Sequence, residues 1–264
     1  MKEKIVVTKL PAGEIIEIKK LADGTFEVTQ KVVVEEKATS EKSNSIPKIT
    51  IPEINFVQIE AESLSWEDKF MDYLPQTEEE GWTKGLIAEA IKSRVKNFYR
   101  PIMDPSFTDD GITYVAGKKP AVGESYKWWV DTAKKYDPSR KSRLGTRLEY
   151  GAFLGVLIKK LVEEGKPVEW AWNAVCNDSK ELGHYLNSED AKHEFEPTGS
   201  RCICGFYDLA NTCKILADDE GTDGCWIAGG DYDNFGYYVP LADLCYVDCH
   251  MFDYSFSVGW LVLS

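Results

Sequence analysis

The alternation of apolar and polar residues divides the chain into a β-type beginning, a helical middle and an end without helical periodicity. Near the beginning, Glu14-Ile-Ile-Glu-Ile and Thr25-Phe-Glu-Val-Thr flank Ala22-Asp23-Gly24, and an Asp-Gly pair between alternating runs is a strong hairpin signal. Residues 38–50 are polar, as in a linker. We therefore predict an N-terminal β segment and linker over residues 1–50, interpreted as a small adaptor or oligomerisation element.

Two stretches in the middle repeat apolar residues at helical spacing. The first begins near Gly81 and contains Leu86, Ile87, Ala90, Ile91, Val95 and Phe98. Pro101 follows it, so the pattern predicts a helix that ends before this proline. The second contains Tyr126, Trp129, Val130 and Ala133. Residues 51–110 are accordingly predicted to be a helical lead-in to the rest of the chain.

The strongest helix signal covers residues 146–164. Thr146 and Glu149 have the spacing of a capping box, and Gly165 occupies the usual place of a C-terminal capping glycine. Pro167 then opens another helix, because proline is tolerated in a first turn. Beyond about residue 195 the helical period is lost, and short strand-like runs remain at 202–207, 225–228 and 258–263. The predicted fold class is α+β, with helices packed on a small β core.

Charge narrows the range of partners. The net charge is −13, the last basic residue is Lys214, and nine acidic residues lie between Asp218 and Asp253. Nucleic-acid binding needs clustered Lys and Arg, so we expect no nucleic-acid partner. No apolar run approaches the roughly 18 residues of a membrane span, and the first twenty residues do not resemble a secretory signal. We therefore expect a cytoplasmic or virion protein without membrane insertion.

Reactive or metal-binding side chains form no familiar pattern. The seven cysteines include no zinc-type spacing, and an odd number favours free thiols. His184 and His193 have no recognisable nucleophile nearby in the sequence, and His250 is interpreted as a contact residue. We therefore predict that the protein has no cofactor, and the alternative is that it binds calcium. The acidic run 218–224 is one candidate, and the other is 231–236, which begins like an EF-hand loop but lacks its closing Glu.

The segment 231–256 has an unusual composition. About half of its positions are Tyr, Phe, Asp or Asn, and Lys, Glu, Gln and Trp are absent. Tyr supplies rigid contact area at low entropic cost, while small polar residues supply adaptable hydrogen bonds, as in antibody paratopes. Dense aromatic residues of this kind indicate an interaction surface. The alternative is a buried aromatic loop region.

Four motifs between residues 143 and 264 resemble, in order and spacing, the formylglycine-generating-enzyme type of C-type lectin fold. Arg143-Leu-Gly-Thr with Glu149-Tyr150 resembles its R-L-P-T-x-x-E-W-E-Y helix start, and Gly205-Phe-Tyr-Asp-Leu-Ala-Asn-Thr resembles G-x-Y-D-L-x-G-N. Ala228-Gly-Gly resembles the R-G-G-S turn, and Ser257-Val-Gly-Trp-Leu-Val resembles the terminal V-G-F-R strand. The resemblance implies a C-type lectin-like ligand-binding domain over residues 111–264. The family's reactive cysteine pair has no match, and Leu261 replaces the terminal Arg.

Within this fold, the chain resembles most closely the variable proteins of the diversity-generating retroelements of phages and prophages. In those systems adenine-directed mutagenic retrohoming turns AAY codons into NNY codons, which cannot encode Lys, Glu, Gln, Trp or Met. Only Met251 falls outside the NNY set in residues 231–256. The resemblance therefore implies a hypervariable surface for receptor recognition, and scattered cysteines are expected among random NNY outcomes. The scaffold between the variable positions would be Trp226, Ala228, Gly229, Gly230, Pro240, Leu241, Ala242, Leu244, Gly259 and Trp260.

We therefore predict a non-enzymatic protein that binds a protein or glycan target on a cell or phage-host surface. It would form a homo-oligomer or attach to a phage tail through its N-terminal segment. The predicted contact residues are Asp231, Tyr232, Asp233, Asn234, Phe235, Gly236, Tyr237, Tyr238, Cys245, Tyr246, Val247, Asp248, Cys249, His250, Phe252, Asp253, Tyr254, Ser255 and Phe256. The alternatives are a formylglycine-generating-type oxidoreductase that uses Cys245 or Cys249, and a structural phage particle protein.

Overall fold

The computed structural model describes residues 4–6, 14–20 and 26–32 by their backbone. It describes in full residues 56–109, 111–179, 181–182, 195, 197–200, 202–217, 224–229, 240–249, 255 and 257–264, and residue 180 by its backbone. The chain forms two compact units, Met1–Thr50 and Ile51–Ser264. Residues 51–110, predicted as a separate lead-in, belong to the same compact unit as residues 111–264.

The first unit contains an antiparallel three-stranded sheet. Its strands are β1 (Lys4–Val6), β2 (Glu14–Lys20) and β3 (Phe26–Val32), in the order β1-β2-β3. Strands β2 and β3 pair from Glu14 opposite Val32 to Lys20 opposite Phe26. The predicted hairpin is therefore confirmed in its two strands, while its turn residues and the predicted linker lie outside the described residues.

The second unit mixes helices with short strands, which confirms the α+β class. Its described α-helices are α1 (Glu78–Lys92), α2 (Tyr126–Tyr136), α3 (Arg147–Glu163) and α4 (Val168–Cys176), and short 3-10 helices cover Ala61–Ser63, Lys69–Asp72, Pro138–Arg140 and Ser179–Leu182. Its described strands are β4 (Phe56–Ile59), β5 (Phe98–Pro101), β6 (Ser106–Thr108), β7 (Gly111–Thr113), β8 (Arg143–Leu144), β9 (Cys202–Ile203), β10 (Phe206–Tyr207), β11 (Cys213–Leu216), β12 (Gly224–Ala228), β13 (Leu244–Asp248), β14 (Ser257–Gly259) and β15 (Leu261–Val262).

Helix α3 runs through the main core and packs against α1 and α4. The predicted capping box is confirmed: the Glu149 N–H donates to the Thr146 hydroxyl at 3.3 Å, and the Thr146 N–H donates to the Glu149 carboxylate at 2.9 Å. Gly165 ends the helix with a φ of +90°, a conformation that favours glycine. Helices α2 and α4 also lie where the pattern predicts them.

Helix α1 ends earlier than its apolar pattern predicts. Arg94 adopts the left-handed conformation, with a φ of +53°, and the Val95 N–H donates to the Ala90 carbonyl at 3.2 Å. These features form a Schellman-type ending without the usual glycine. The prediction that Val95 and Phe98 continue the helix is therefore wrong. Phe98 instead begins β5, where it pairs with Ile59 and is 2% exposed.

The largest described sheet in the second unit has four strands in the order β13-β12-β11-β14. Strand β14 pairs parallel with β11, whereas β12 pairs antiparallel with both β11 and β13. The single strand predicted over 258–263 is divided: β14 joins this sheet, and β15 pairs with β8. Trp260 lies between them at 3% exposure, where its ring meets those of Phe98, Tyr150 and Phe153.

Candidate ligand-binding surface

Strand β13 contains Cys245, Tyr246, Val247 and Asp248, four of the six described contact residues, and is an edge strand of the described four-stranded sheet. Its register is fixed by β12, with Trp226 opposite Tyr246 and Cys225 opposite Val247. Side chains alternate between the two faces of a strand. Tyr246 therefore shares one face with Trp226, and Val247 shares the opposite face with Cys225.

Tyr246 lies over its partner strand. Its ring centroid is 5.1 Å from that of Trp226, in an edge-to-face arrangement, and the side chain is 37% exposed. The ring also covers Gly224, where a Cβ would lie 2.4 Å from Tyr246 Cζ. Gly224 therefore makes room for a large ring at position 246, and Trp226 supports that ring from the scaffold.

Exposure does not follow the two faces of β13 strictly. Tyr246 and Asp248 are exposed on the face that includes Trp226. On the opposite face Cys245 is exposed, while Val247 and Cys249 are half-buried and pack against a second core cluster that includes Cys225 and Ile227. Contact with a large ligand is therefore easiest through the exposed residues. Ser255 is also exposed. The remaining predicted contact residues, at 231–238, 250, 252–254 and 256, lie outside the described residues.

The turn that leads into β13 is fixed by hydrogen bonds from several elements. The Tyr150 hydroxyl donates to the Leu241 carbonyl at 2.8 Å, and the Leu241 N–H donates to the Ser179 hydroxyl at 2.8 Å. The Ala242 N–H donates to the Val175 carbonyl at 3.0 Å. Helices α3 and α4 therefore both hold the chain immediately before the contact strand, as a rigid display requires.

The helix-start motif has a clear local chemistry. Arg143 makes a two-pronged ion pair with Glu149, at 2.7 Å and 2.6 Å, while the same carboxylate accepts the Thr146 N–H. Such paired bonds fix the planes of both groups. The next residue is Tyr150, which holds the turn before β13. The motif thus links the start of α3 to the candidate surface.

A buried polar cluster surrounds Lys214 of β11. The Lys214 ammonium is 2.7 Å from Asp104 Oδ1, both side chains are 3% exposed, and the Thr212 hydroxyl donates to Asp104 Oδ2 at 2.8 Å. Asp208, from the G-x-Y-D-L-type segment, accepts the N–H groups of Gly199 at 2.8 Å and Asp104 at 3.1 Å. Sequence patterns did not indicate this cluster, because its members come from distant segments.

Burial, and then the neighbouring Asp104, raise the pKa of Asp208 to about 6. The folded protein therefore binds this proton more tightly than the unfolded chain, and the contribution of Asp208 to stability falls as the pH rises from about 4 to about 6. Asp208→Asn should remove this decrease. Asn tolerates the left-handed φ of +55° at position 208. The side-chain oxygen of Asn can replace Asp208 Oδ2, which accepts the N–H groups of Gly199 and Asp104.

Urea unfolding of both proteins at pH 4, 5, 6 and 7 measures the difference. We expect the variant to gain about 2–3 kcal/mol relative to the parent across this range. Asp131→Asn, at an exposed position of α2, controls for the lost charge. Parallel pH profiles for the parent and Asp208→Asn would contradict the assignment.

Three of the seven thiols have a raised pKa, which lowers the fraction of nucleophilic thiolate. Burial is the main cause that raises the pKa of Cys245, with a smaller effect of Asp243. Burial likewise raises the pKa of Cys176 and of Cys204 to about 12. Residues four apart in an extended chain are separated by about 13 Å, which exceeds the span of a disulfide between Cys245 and Cys249. None of the seven cysteines, all of which the structure describes, forms a disulfide.

Within the described part of the chain, no three His, Cys, Asp or Glu side chains are grouped so that they could hold a metal ion. The acidic stretches considered for calcium, at 218–223 and 231–236, lie outside the described residues, as do His184, His193 and His250. That the protein binds no metal ion therefore stays a prediction.

An open groove of about 1250 Å³ lies beside this surface and was not predicted from the sequence. Its lining includes residues of α1, among them Trp82 at 74% exposure, as well as Trp226 and the turn before β13. The available signal was a pair of glycines four residues apart, Gly81 and Gly85, inside a sequence that otherwise forms a helix. Glycine disfavours helices, so such a pair deserves a structural explanation.

No family model matches the chain, and neither the curated proteins nor the solved structures gave a match. Among the described residues, no helix is long and apolar enough to cross a membrane.

Proposed function

We propose that this chain is a non-enzymatic target-binding protein whose C-terminal lectin-like domain displays a hypervariable, Tyr- and Asp-rich surface. The surface would be diversified by adenine-directed mutagenic retrohoming, as in the variable proteins of diversity-generating retroelements. The N-terminal β segment would join the domain to a phage tail or another carrier, or would form oligomers. Its target would be a protein or glycan on a cell or phage-host surface.

The observation that carries the proposal is a contrast in burial. The residues assigned to the scaffold include Ala228 at 0%, Leu241 at 1% and Trp260 at 3% exposure. The predicted variable residues of β13 instead include exposed side chains, among them Tyr246 at 37%. Variation is tolerated where side chains face solvent and is costly where they fill a core. Trp226, Pro240, Ala242 and Leu244 of the scaffold are half-buried, as are the contact residues Val247 and Cys249. The contrast between the most buried scaffold residues and the exposed residues of β13 supports the proposal.

The four motifs that resemble the lectin-like family lie close together in the structure, which supports the lectin-like part of the proposal. The Gly145 N–H donates to the Trp260 carbonyl at 2.9 Å, and a Cβ at Gly145 would lie 2.3 Å from the Trp260 ring. Strand β12, which ends at Ala228, pairs with β11, and β11 pairs with β14. Phe206 packs its ring on Phe153 of α3 at 5.4 Å. Motifs up to about 115 residues apart therefore share one core.

The sequence of the DNA around the gene tests the diversification. We expect a reverse-transcriptase gene and a repeat nearly identical to the codons of residues 231–256, with differences confined to adenines of the repeat. A complete genomic neighbourhood with neither element would contradict the proposal. Because the net charge is −13, the proposal includes no nucleic-acid partner. It places the protein in the cytoplasm or in a virion.

The oxidoreductase alternative predicts turnover. Purified protein incubated with copper or calcium and a sulfatase-type cysteine peptide should leave the peptide unchanged in a mass-spectrometric assay. Formation of formylglycine that is lost in Cys245→Ser or Cys249→Ser would contradict the non-enzymatic proposal. The raised pKa of Cys245 and the expected separation of these two thiols favour the binding function.

A further inference from the structure

The groove beside β13 is built from scaffold residues. Its lining comes from α1, the start of α3, the end of α4, β12 and the turn before β13. The described lining residues are Glu78, Glu79, Gly81, Trp82, Thr83, Gly85, Leu86, Glu89, Arg147, Cys176, Asn177, Trp226, Pro240, Ala242, Asp243 and Leu244. They include none of the nineteen predicted contact residues. A ligand that contacts these described residues would therefore meet the same chemistry whatever the variable residues are.

Helix α1 presents bare backbone to the groove. Gly81 and Gly85 are four residues apart, so they lie on one face of the helix. A Cβ at either position would meet no atom within 4 Å. Packing within the described structure therefore does not require glycine at these positions, although each glycine disfavours the helix. The glycines do leave space for another backbone to approach the helix closely.

The charge and rings of the groove favour a cation. Four carboxylates line it, from Glu78, Glu79, Glu89 and Asp243, against a single basic residue, Arg147, among the described lining residues. Arg147 is occupied with Glu89, at 3.1 Å. Trp82 is 74% exposed, and an indole ring binds a guanidinium or ammonium group on its face. The Arg147 guanidinium, 5.5 Å from the Trp226 ring centroid, already makes such a contact at one end of the groove.

The chain's own variable segments are mismatched with the groove in charge. Residues 231–239 contain two Asp and no basic residue, and no Lys or Arg follows Lys214. Filling an acidic groove with such a segment would bring like charges together, which is unfavourable. The complementary occupant is a basic segment, which the variable segments do not supply.

We propose that the groove is a constant docking site for a basic segment of a partner protein. An Arg or Lys side chain of the partner would lie between the Trp82 ring and the carboxylates, and the partner backbone would approach Gly81 and Gly85. This site would connect the domain to a fixed partner, while the variable surface faces changing targets. The inference does not depend on the diversification of residues 231–256.

Matched peptides test the site in the full-length protein. The probe is the acetylated, amidated peptide Leu-Arg-Gly-Leu-Arg-Gly, with its Gln and Glu counterparts as controls. Tryptophan fluorescence and the indole N–H signals of Trp82 and Trp226 report binding. We expect saturable binding of the Arg peptide in the millimolar range or tighter, at least fivefold tighter than the Gln peptide, and no binding of the Glu peptide. The Arg peptide should bind more weakly as salt screens the carboxylates.

Two variants separate docking from folding. Gly81→Ala with Gly85→Ala should raise the melting temperature, because Ala favours helices over Gly, and should weaken Arg-peptide binding at least fivefold. Trp82→Ala should weaken it similarly, whereas Trp66→Ala, at an exposed Trp outside the described lining, should not. Equal binding of the Arg and Gln peptides, or unchanged binding by the double Ala variant, would overturn the proposal. So would a lower melting temperature of that variant, or self-association of the parent that competes with the peptide.

Discussion

Replacing Lys214 with Met should lower the free energy of unfolding by about 3–5 kcal/mol. The ammonium group of Lys214 is the charged partner of Asp104 at 2.7 Å, and both side chains are almost completely buried. Removing one member of a buried ion pair leaves the other charge without compensation in a medium of low polarity. Lys214 Nζ also contacts the Thr212 hydroxyl at 2.6 Å, so the change disturbs the whole polar cluster.

Chemical unfolding of the single and double variants measures the effect. Asp104→Asn combined with Lys214→Met removes both charges and should recover a large part of the loss, because no uncompensated charge stays buried. Lys134→Met, at an exposed position in α2, is the matched control and should change stability by no more than about 0.5 kcal/mol. A loss below about 1 kcal/mol in Lys214→Met would show that Asp104 is solvated or paired elsewhere.

Trp260→Ala should cost about 3–5 kcal/mol, the range typical of truncating a large buried aromatic side chain. Trp260 is 3% exposed, and its ring lies 5.2 Å from that of Tyr150 and 5.8 Å from that of Phe98. Gly145 packs directly against the same ring. The truncation would therefore leave a cavity where the start of α3 meets the last two strands.

Trp260→Phe is the conservative control for this cavity. The resembling family has Phe at the corresponding place in its V-G-F-R strand, so we expect Phe to keep the fold and to cost clearly less than Ala. Thermal and urea unfolding of the two variants give the comparison. If Phe and Ala cost the same, the ring does not fill this core as the structure indicates.

The sequence predicted elements best where local chemistry specifies them. Helix α3 has a capping box at Thr146, a broad apolar face and Gly165 at its end, so its limits could be read directly. Helix α1 was extended too far because Arg94 ends it in a left-handed conformation usually occupied by glycine. Local signals were also insufficient for the run 258–263, because its division depends on two different partner strands.

Long-range contacts set the limit for predicting the site. Composition predicted a contact segment, yet it could not show that Val247 is half-buried while Tyr246 lies over Gly224. That difference depends on the register with β12. In the same way, Lys214 was recognised only as the last basic residue. Its burial depends on contact with Asp104, which is 110 residues away in the sequence. No periodic pattern in a single sequence indicates such a distant contact.

A selection for folding tests the central claim most directly. The nineteen predicted contact positions are randomised together with NNY codons, and resistance to protease selects folded members of the library. The proposal predicts that sequenced survivors resemble the input at Cys245, Tyr246 and Asp248, with some preference for apolar residues at Val247. A parallel library at Ala228, Leu241 and Trp260 uses NNK codons, because NNY codons cannot encode Trp. Its survivors should return almost entirely to the parent residues. Survivors that restore the parent Tyr and Asp residues at the contact positions would show that these side chains form the core, and would contradict a diversified binding surface.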